Sequence, residues 1–320
     1  MPGIFEISET FTERWADVMP IDATNYGIAG REDRCTDYSP EGHAVRADLY
    51  RSTLEQLEPH RNEGSDVERF GAKVLGRWLE EGVDRYEEGE WRRDLNHTYS
   101  PFQNMRDVFD VMAKDTVEDW SAIVARLRGF DGMVAGYREA LQAGVDADDT
   151  VAVRQAESLL EQVDAAASDE SRFLVYPDQA AAAGADPAEV AAAVEVVRSA
   201  CAQFATWLRG TYLPAARAED AVGRDAYLRG ADEFLGMSID PEQTYEWGWG
   251  EVHRIRRDMK STAAAIDPDR SITEVIELLD TDPDRSAATR QDFVDFVSAI
   301  QEQAIAQLSG EHFAVPEELR

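Results

Sequence analysis

Apolar residues recur at intervals of three and four along most of this chain, the spacing that places side chains on one face of an α-helix. The longest such series contains Val190, Val194, Val197, Cys201, Phe204 and Leu208. Shorter series follow residues 65 and 241, and another extends from residue 289 to residue 308. We therefore predict an all-α fold, a large multi-helical assembly of roughly ten or more helices with little or no β structure.

Residues that favour helix N-termini precede these series. Ser39, Asp186 and Asp240 each stand before a proline, which suits the first helical position because its missing N–H needs no partner there. Ser65 and Ser271 each have a glutamate three residues later, the pattern of a capping box. One run, residues 173–176 (FLVY), has the composition of a short strand and could equally be a buried loop.

The charge of the chain excludes some classes of partner. The sequence has 64 acidic and 32 basic side chains, giving a formal net charge of -32. Such a surface repels phosphate backbones and anionic lipid headgroups, so we expect neither a nucleic acid nor a membrane as partner. The acidity has two open interpretations: adaptation to salt, or the codon usage of a GC-rich genome that also favours arginine over lysine.

Location is predicted from features near the start and from cysteine usage. Residues 1–13 lack the basic and apolar regions of a signal peptide, and no run approaches the roughly 20 apolar residues of a membrane helix. Two cysteines are few for a secreted domain stabilised by disulfides. These features predict a cytoplasmic protein.

No catalytic or metal-binding motif can be read in the chain. A zinc peptidase helix needs two histidines on one face with a glutamate between them. None of the five histidines has that spacing, and the nearest approach, His60 with Glu63, lies in a polar stretch typical of a loop. Nucleophile elbows and phosphate-binding loops are also missing from the sequence. We therefore predict no catalytic residue, no metal ligand and no cofactor within these 320 residues.

Two segments contain candidate substrate-binding residues. Residues 96–107 combine His97, Asn104 and Arg106 in a predicted loop and the helix start after it, a polar density typical of ligand contacts. The alternative is a well-bonded turn with ordinary caps. Residues 245–253 place Trp249 and His253 one turn apart on a predicted helix. The alternative there is a structural face packed closely at two glycines.

The order of several short motifs resembles the family known as DUF885, a domain of unknown function. The opening part carries Trp15, Pro20, residues 23–27 (ATNYG) and residues 37–41 (DYSPE). The later part carries residues 223–228 (GRDAYL), 241–245 (PEQTY) and 251–255 (EVHRI). The resemblance implies a helical, metallopeptidase-like fold whose zinc motif lies further along the family's chain. No position here matches that motif.

Two hypotheses follow from this resemblance and from the residues. In the first, residues 1–320 are the N-terminal, substrate-cleft half of a zinc metallopeptidase-like hydrolase acting on peptides, and a longer form supplies the zinc. Activity as an enzyme is then expected only where that C-terminal half is present. In the second, the 320 residues are a single helical domain, a non-catalytic scaffold or binding module that self-associates into a homo-oligomer.

Overall fold

The structure, a computed structural model, describes residues 3–316 and is built from helices. No β-strand forms in that range, where β-type pairing is limited to two isolated bridges, Ala152 with Arg217 and Ser309 with Phe313. The prediction of an all-α fold is therefore confirmed. Within residues 3–316 no helix combines the length and the apolar character needed to cross a membrane.

The chain divides into two compact units, Met1–Tyr227 and Leu228–Arg320. The helices that begin in the first unit are α1 (Ile4–Val18), α2 (Pro20–Asn25), α3 (Pro40–Leu57), α4 (Asp66–Glu87), α5 (Pro101–Val111), α6 (Val117–Arg128), α7 (Phe130–Asp146), α8 (Val153–Ala167), α9 (Tyr176–Ala182), α10 (Pro187–Trp207), α11 (Leu213–Ala215) and α12 (Arg224–Leu235). The second unit contains α13 (Pro241–Ile266), α14 (Ile272–Thr281) and α15 (Arg290–Leu308). The expectation of a single domain stays a prediction, since this division describes contacts and not folding.

The helix starts are those that the caps predict. The Ser65 hydroxyl accepts a hydrogen bond from the Glu68 backbone N–H, and the Glu68 carboxylate accepts one from the Ser65 N–H at 2.8 Å. Ser271 closes the same box with Glu274. The Asp240 carboxylate accepts from two N–H groups of the first turn of α13. Each of these bonds satisfies donors that the helix itself leaves unpaired.

Residues 173–176 form neither a strand nor a loop, so both predictions made from the sequence were wrong. Residues Arg172–Val175 form a 3₁₀ turn that leads directly into α9, and Pro177 is the second residue of that helix. The fixed φ of proline suits a first helical turn as well as it ends a strand. Phe173 is fully buried, with its ring 5.5 Å from Phe109 and 5.4 Å from Tyr176. Burial of this ring selects the helical turn.

The larger core of the first unit surrounds α10, which packs against α6, α7, α8 and α9. Its apolar face is buried as the sequence predicts, at Val190, Val194, Val197, Cys201, Phe204 and Leu208. A smaller core joins α1, α3 and α4 through Ile4, Leu49, Leu57 and Leu79. The cavity described below borders this second core.

One fully buried cation joins the segment before α3 to the larger core. The Arg126 guanidinium of α6 donates to the carbonyl oxygens of Arg34 and Arg31 at 3.0 and 2.8 Å. It also donates to the Pro20 carbonyl and to the Thr24 hydroxyl of α2. Buried cations need several such partners to offset lost hydration. These bonds hold residues 20–34 against α6.

Close approach at α7 requires glycine. A Cβ at Gly144 would overlap the carbonyl oxygen of Arg92, and one at Gly136 would lie 2.8 Å from the Ser39 nitrogen. Nothing lies within 4 Å of the corresponding position at Gly132 on the same helix. Glycine at 136 and 144 therefore allows α7 to pack directly against the backbone around residues 39 and 92.

Several predicted apolar faces are exposed in this chain. On α4, Val67 and Phe70 are each 68% exposed, whereas Leu79 is buried. In the second unit, only Ala263 and Val275 are buried among its described residues. The exposed apolar side chains of α13 and α15 are Trp249, Val252, Ile255, Met259, Phe293, Phe296, Val297 and Ile300. The helical periodicity was correct, but these faces do not form a core within the described residues.

Candidate functional site

A cavity of about 530 Å³ opens into the first unit. Its walls come from α1 to α5 and from the 3₁₀ turn Glu90–Arg92, with Arg217 and Val222 at one side. The volume falls in the range of sites for small ligands. The lining combines aromatic rings with buried charged groups, which makes this cavity the main candidate site.

Aromatic rings form one wall. The Tyr50 and Trp78 rings meet edge to face with centroids 5.3 Å apart. The His43 and Trp91 rings stack at 5.5 Å, and the Tyr86 ring stacks against Trp91 from 6.3 Å. Rings in mutual contact lose little further freedom on binding, so they offer a preformed apolar surface.

Helix α3 supplies three ionisable side chains to the cavity lining. His43, Arg46 and Tyr50 follow one another at spacings of three and four, so they share one face. Burial, reinforced by the neighbouring Arg46 charge, lowers the pKa of His43 to about 2. His43 is therefore a neutral ring at physiological pH and acts as part of the aromatic wall.

Two carboxylates line the same cavity. Burial raises the pKa of Asp22, against the opposing effect of Arg46. Enclosure by the surrounding protein raises the pKa of Asp94 to about 6, although the side chain is open to the cavity. Glu90 and Asp22 raise it further, and the Arg85 and Arg46 charges oppose them. The cavity can therefore present both positive and negative groups to a ligand.

A metal centre is not supported by the donor groups present. No three His, Cys, Asp or Glu side chains between residues 3 and 316 are grouped so that they could hold an ion. These residues do not fit the zinc that the family resemblance implies, and no reaction step in this chain is assigned to a metal.

The three candidates from residues 96–107 lie near one another at the edge of this region. Asn104 lines the cavity, and it also lines a neighbouring depression together with Arg106. The Gln162 side chain of α8 joins the other two, accepting from the Arg106 guanidinium at 2.8 Å and donating to the His97 carbonyl at 2.8 Å. Asn96 and Ser100 also make turn and cap hydrogen bonds, as expected if this segment is an ordinary well-bonded turn. Ligand contact by these three residues stays a prediction.

The other two candidates belong to the second unit. The Trp249 and His253 rings contact each other on α13 with centroids 5.9 Å apart, and Tyr245 meets Trp249 at 6.3 Å. The predicted shared face is therefore confirmed. A role in ligand binding stays a prediction for both residues.

Sequence reasoning missed most of the cavity lining, including Asp22, Arg46, Trp91 and Asp94. One local signal was available at Arg46, a charged residue on the buried face of α3 that also carries Ala47, Leu49 and Leu57. A charged residue on a buried helix face needs a partner or a function. The remaining lining residues come from separate segments, and no local pattern connects them.

Two solved structures share this fold. The first, from Colwellia psychrerythraea and described as a "putative lipoprotein", is 18% identical with a TM-score of 0.76, covering 95% of this chain and 59% of that one. The second, from Shewanella oneidensis and described as a "putative lipoprotein of unknown function", is 14% identical with a TM-score of 0.70, covering 96% of this chain and 57% of that one. The chain thus spans somewhat under three fifths of their length.

Sequence comparison adds a family. The model described as "Bacterial protein of unknown function (DUF885)" matches residues 20–320, which is most of the chain. No curated protein matches it.

Proposed function

Because this chain belongs to the DUF885 family of bacterial proteins, we propose that it is the substrate-recognition part of a peptide hydrolase, with the cavity of the first unit as its peptide-binding site. In this proposal the chain is the N-terminal half of a metallopeptidase-like enzyme. The catalytic metal and its ligands would belong to polypeptide outside these 320 residues.

The lining of the cavity supports this proposal. Peptides present apolar side chains together with hydrogen-bonding amides and charged ends. The stacked rings around Trp91 suit the apolar side chains, while Arg46 and Asp22 suit the polar groups. A cavity with only one of these two surfaces would suit a lipid or a simple ion instead.

Binding of short synthetic peptides, measured by isothermal titration calorimetry, tests the proposal directly. We expect saturable binding that weakens about tenfold in Trp91→Ala, which removes a ring from the wall. Trp247→Ala is the matched control, because Trp247 is exposed on α13 in the second unit. A library of short peptides that gives no saturable heat with the wild type would refute the proposal.

A second candidate function rests on the exposed apolar faces of α13 and α15. Contiguous exposed apolar surface is typical of interaction sites, so we propose as the alternative a scaffold that self-associates through these helices.

Light scattering over a concentration series should then show a homo-oligomer. The double variant Phe293→Ser, Phe296→Ser should be monomeric, whereas Glu302→Gln on the same helix should not change the mass. A wild type that stays monomeric at every attainable concentration contradicts this alternative.

The location of the chain is also proposed. The sequence favours the cytoplasm, whereas the two solved structures are described as lipoproteins. Fractionation of cells that express the full-length gene, followed by immunoblotting, distinguishes cytoplasmic from envelope material. Recovery in the envelope fraction would overturn the cytoplasmic proposal.

A further inference from the structure

The cavity contains a buried cation without a carboxylate partner. Arg46 is 6% exposed, and no Asp or Glu oxygen in the described part of the chain lies within ion-pair distance of its guanidinium. Among the described residues, the Arg46 guanidinium makes one hydrogen bond, which Nη1 donates to the Asp37 carbonyl oxygen at 2.6 Å. A guanidinium has five N–H donors, and a buried charge is normally paired. Arg46 therefore has donors left for a ligand.

A second buried group in the same cavity also lacks a partner. Asp22 is 9% exposed, and its Oδ2 atom makes no hydrogen bond with the residues that the structure describes. The nearby Tyr38 hydroxyl, beside Thr36, makes no hydrogen bond of good geometry either. An ionised carboxylate accepts but does not donate, so Asp22 Oδ2 is open to an N–H or O–H donor of a ligand.

The charge of the lining differs from that of the whole protein. The cavity is lined by four arginines and three acidic residues, Arg46, Arg85, Arg93, Arg217, Asp22, Glu90 and Asp94. Acidic side chains outnumber basic ones two to one over the chain as a whole. Arg93 is paired with Asp149 outside the lining, so the lining is close to neutral where the protein as a whole is strongly acidic. The cavity therefore repels an anionic group far less than the rest of the protein does.

We infer that the cavity recognises the free carboxyl terminus of a peptide, with the terminal carboxylate on the Arg46 guanidinium and the last backbone N–H donated to Asp22 Oδ2. The planar fork of arginine matches a carboxylate with two parallel hydrogen bonds. The carboxylate and the amide N–H of a C-terminal residue are close neighbours, and Arg46 and Asp22 line the same cavity close enough for their charges to interact. The aromatic wall then receives the side chain of that residue.

This inference rests on the proposed peptide-binding function, and the experiment separates the two. Calorimetry compares one apolar tripeptide as the free acid with the same peptide as its C-terminal amide. We expect the amide to bind about tenfold or more weakly, the loss typical of a charge-assisted pair. In Arg46→Lys, which keeps the charge but loses the fork, the acid should fall towards the affinity of the amide.

Arg198→Gln is the matched control, since Arg198 is paired with Asp169 and Glu195 away from the cavity. It should keep the full preference for the acid. Circular dichroism and the melting temperature of Arg46→Lys check that its bond to Asp37 is not needed for folding. If Arg46→Lys does not fold, the acid and amide comparison in the wild type still decides.

The possible results distinguish failure of carboxylate recognition from failure of peptide binding. Equal binding of acid and amide by the wild type overturns carboxylate recognition and leaves peptide binding standing. Equal weakening of both peptides in Arg46→Lys shows that Arg46 only supports the structure, which also overturns the inference. Absence of binding by either peptide, and by any other peptide tested, refutes the proposed function itself.

Discussion

Two buried arginines of this protein differ in how many of their N–H donors are hydrogen-bonded. Arg126 makes hydrogen bonds to backbone carbonyls and to the Thr24 hydroxyl, so its guanidinium is used to join segments. Arg46 makes a single bond to a carbonyl and faces the cavity. Neither role could be predicted from the sequence, because the groups that surround each guanidinium come from residues distant along the chain. The residue type alone signals that a buried arginine has a function.

Substitution of Arg126 tests its structural role. Arg126→Met should destabilise the protein by about 3 kcal/mol, because the carbonyl groups of Pro20, Arg31 and Arg34 all lose their donor. Arg128→Met on the same helix is the control, since Arg128 is half-exposed and paired with Glu189 at the surface. Its effect should stay within about 1 kcal/mol. Urea unfolding followed by circular dichroism measures both, and equal effects would contradict the assignment.

The stability of the protein should depend on pH through Asp94. Its pKa is raised from 3.8 to about 6, so the ionised form is disfavoured in the folded state. The contribution of this group to stability therefore falls as pH rises from 3.8 to about 6 and is constant above that range. Asp94→Asn should gain stability relative to the wild type over that window. Unfolding curves at a series of pH values measure the difference, and a difference independent of pH would contradict it.

At the scale of elements, caps were predictable and packing was not. Ser65, Asp240 and Ser271 start helices because each cap bond joins residues two or three apart. The turn at 172–175 was missed because its conformation depends on where the Phe173 ring is buried. Apolar periodicity gave the correct helices on α4 and α15 but not the partners of their apolar faces.

The glycines of α7 test how closely the helix packs. Gly144→Ala should destabilise the protein by about 2 kcal/mol or more, because its Cβ would overlap the Arg92 carbonyl oxygen. Gly132→Ala on the same helix has open space and should be neutral or stabilising by up to about 1 kcal/mol. Thermal unfolding of the two variants measures this contrast. Similar melting temperatures for both would show that the contact relaxes without strain.

For the molecule as a whole, fold class and charge followed from the sequence, and the cavity did not. The periodicity and the caps together require helices, and composition alone gives the net charge of -32. The cavity forms where five helices and a 3₁₀ turn pack together, and no local sequence pattern predicts tertiary contacts of this kind. Of the five candidate residues, the structure places only Asn104 in the lining of that cavity.

Salt should stabilise the whole protein. A net charge of -32 makes the folded chain repel itself, and added ions screen that repulsion. The melting temperature should rise as NaCl is increased from about 0.02 M to about 0.3 M, since the Debye length falls severalfold. Scanning calorimetry with an equal concentration of uncharged glucose as control measures the effect. A melting temperature that falls with salt would show that ion pairs outweigh the repulsion.

The close contact at Gly144 connects the packing of α7 to the shape of the cavity. The backbone that Gly144 touches at Arg92 is continuous with Trp91 and Asp94, which line the cavity. A lineage that acquired any larger residue at position 144 would have to displace this segment, and with it part of the binding surface. Changes of ligand preference could then arise from a helix outside the lining, through a single added methyl group.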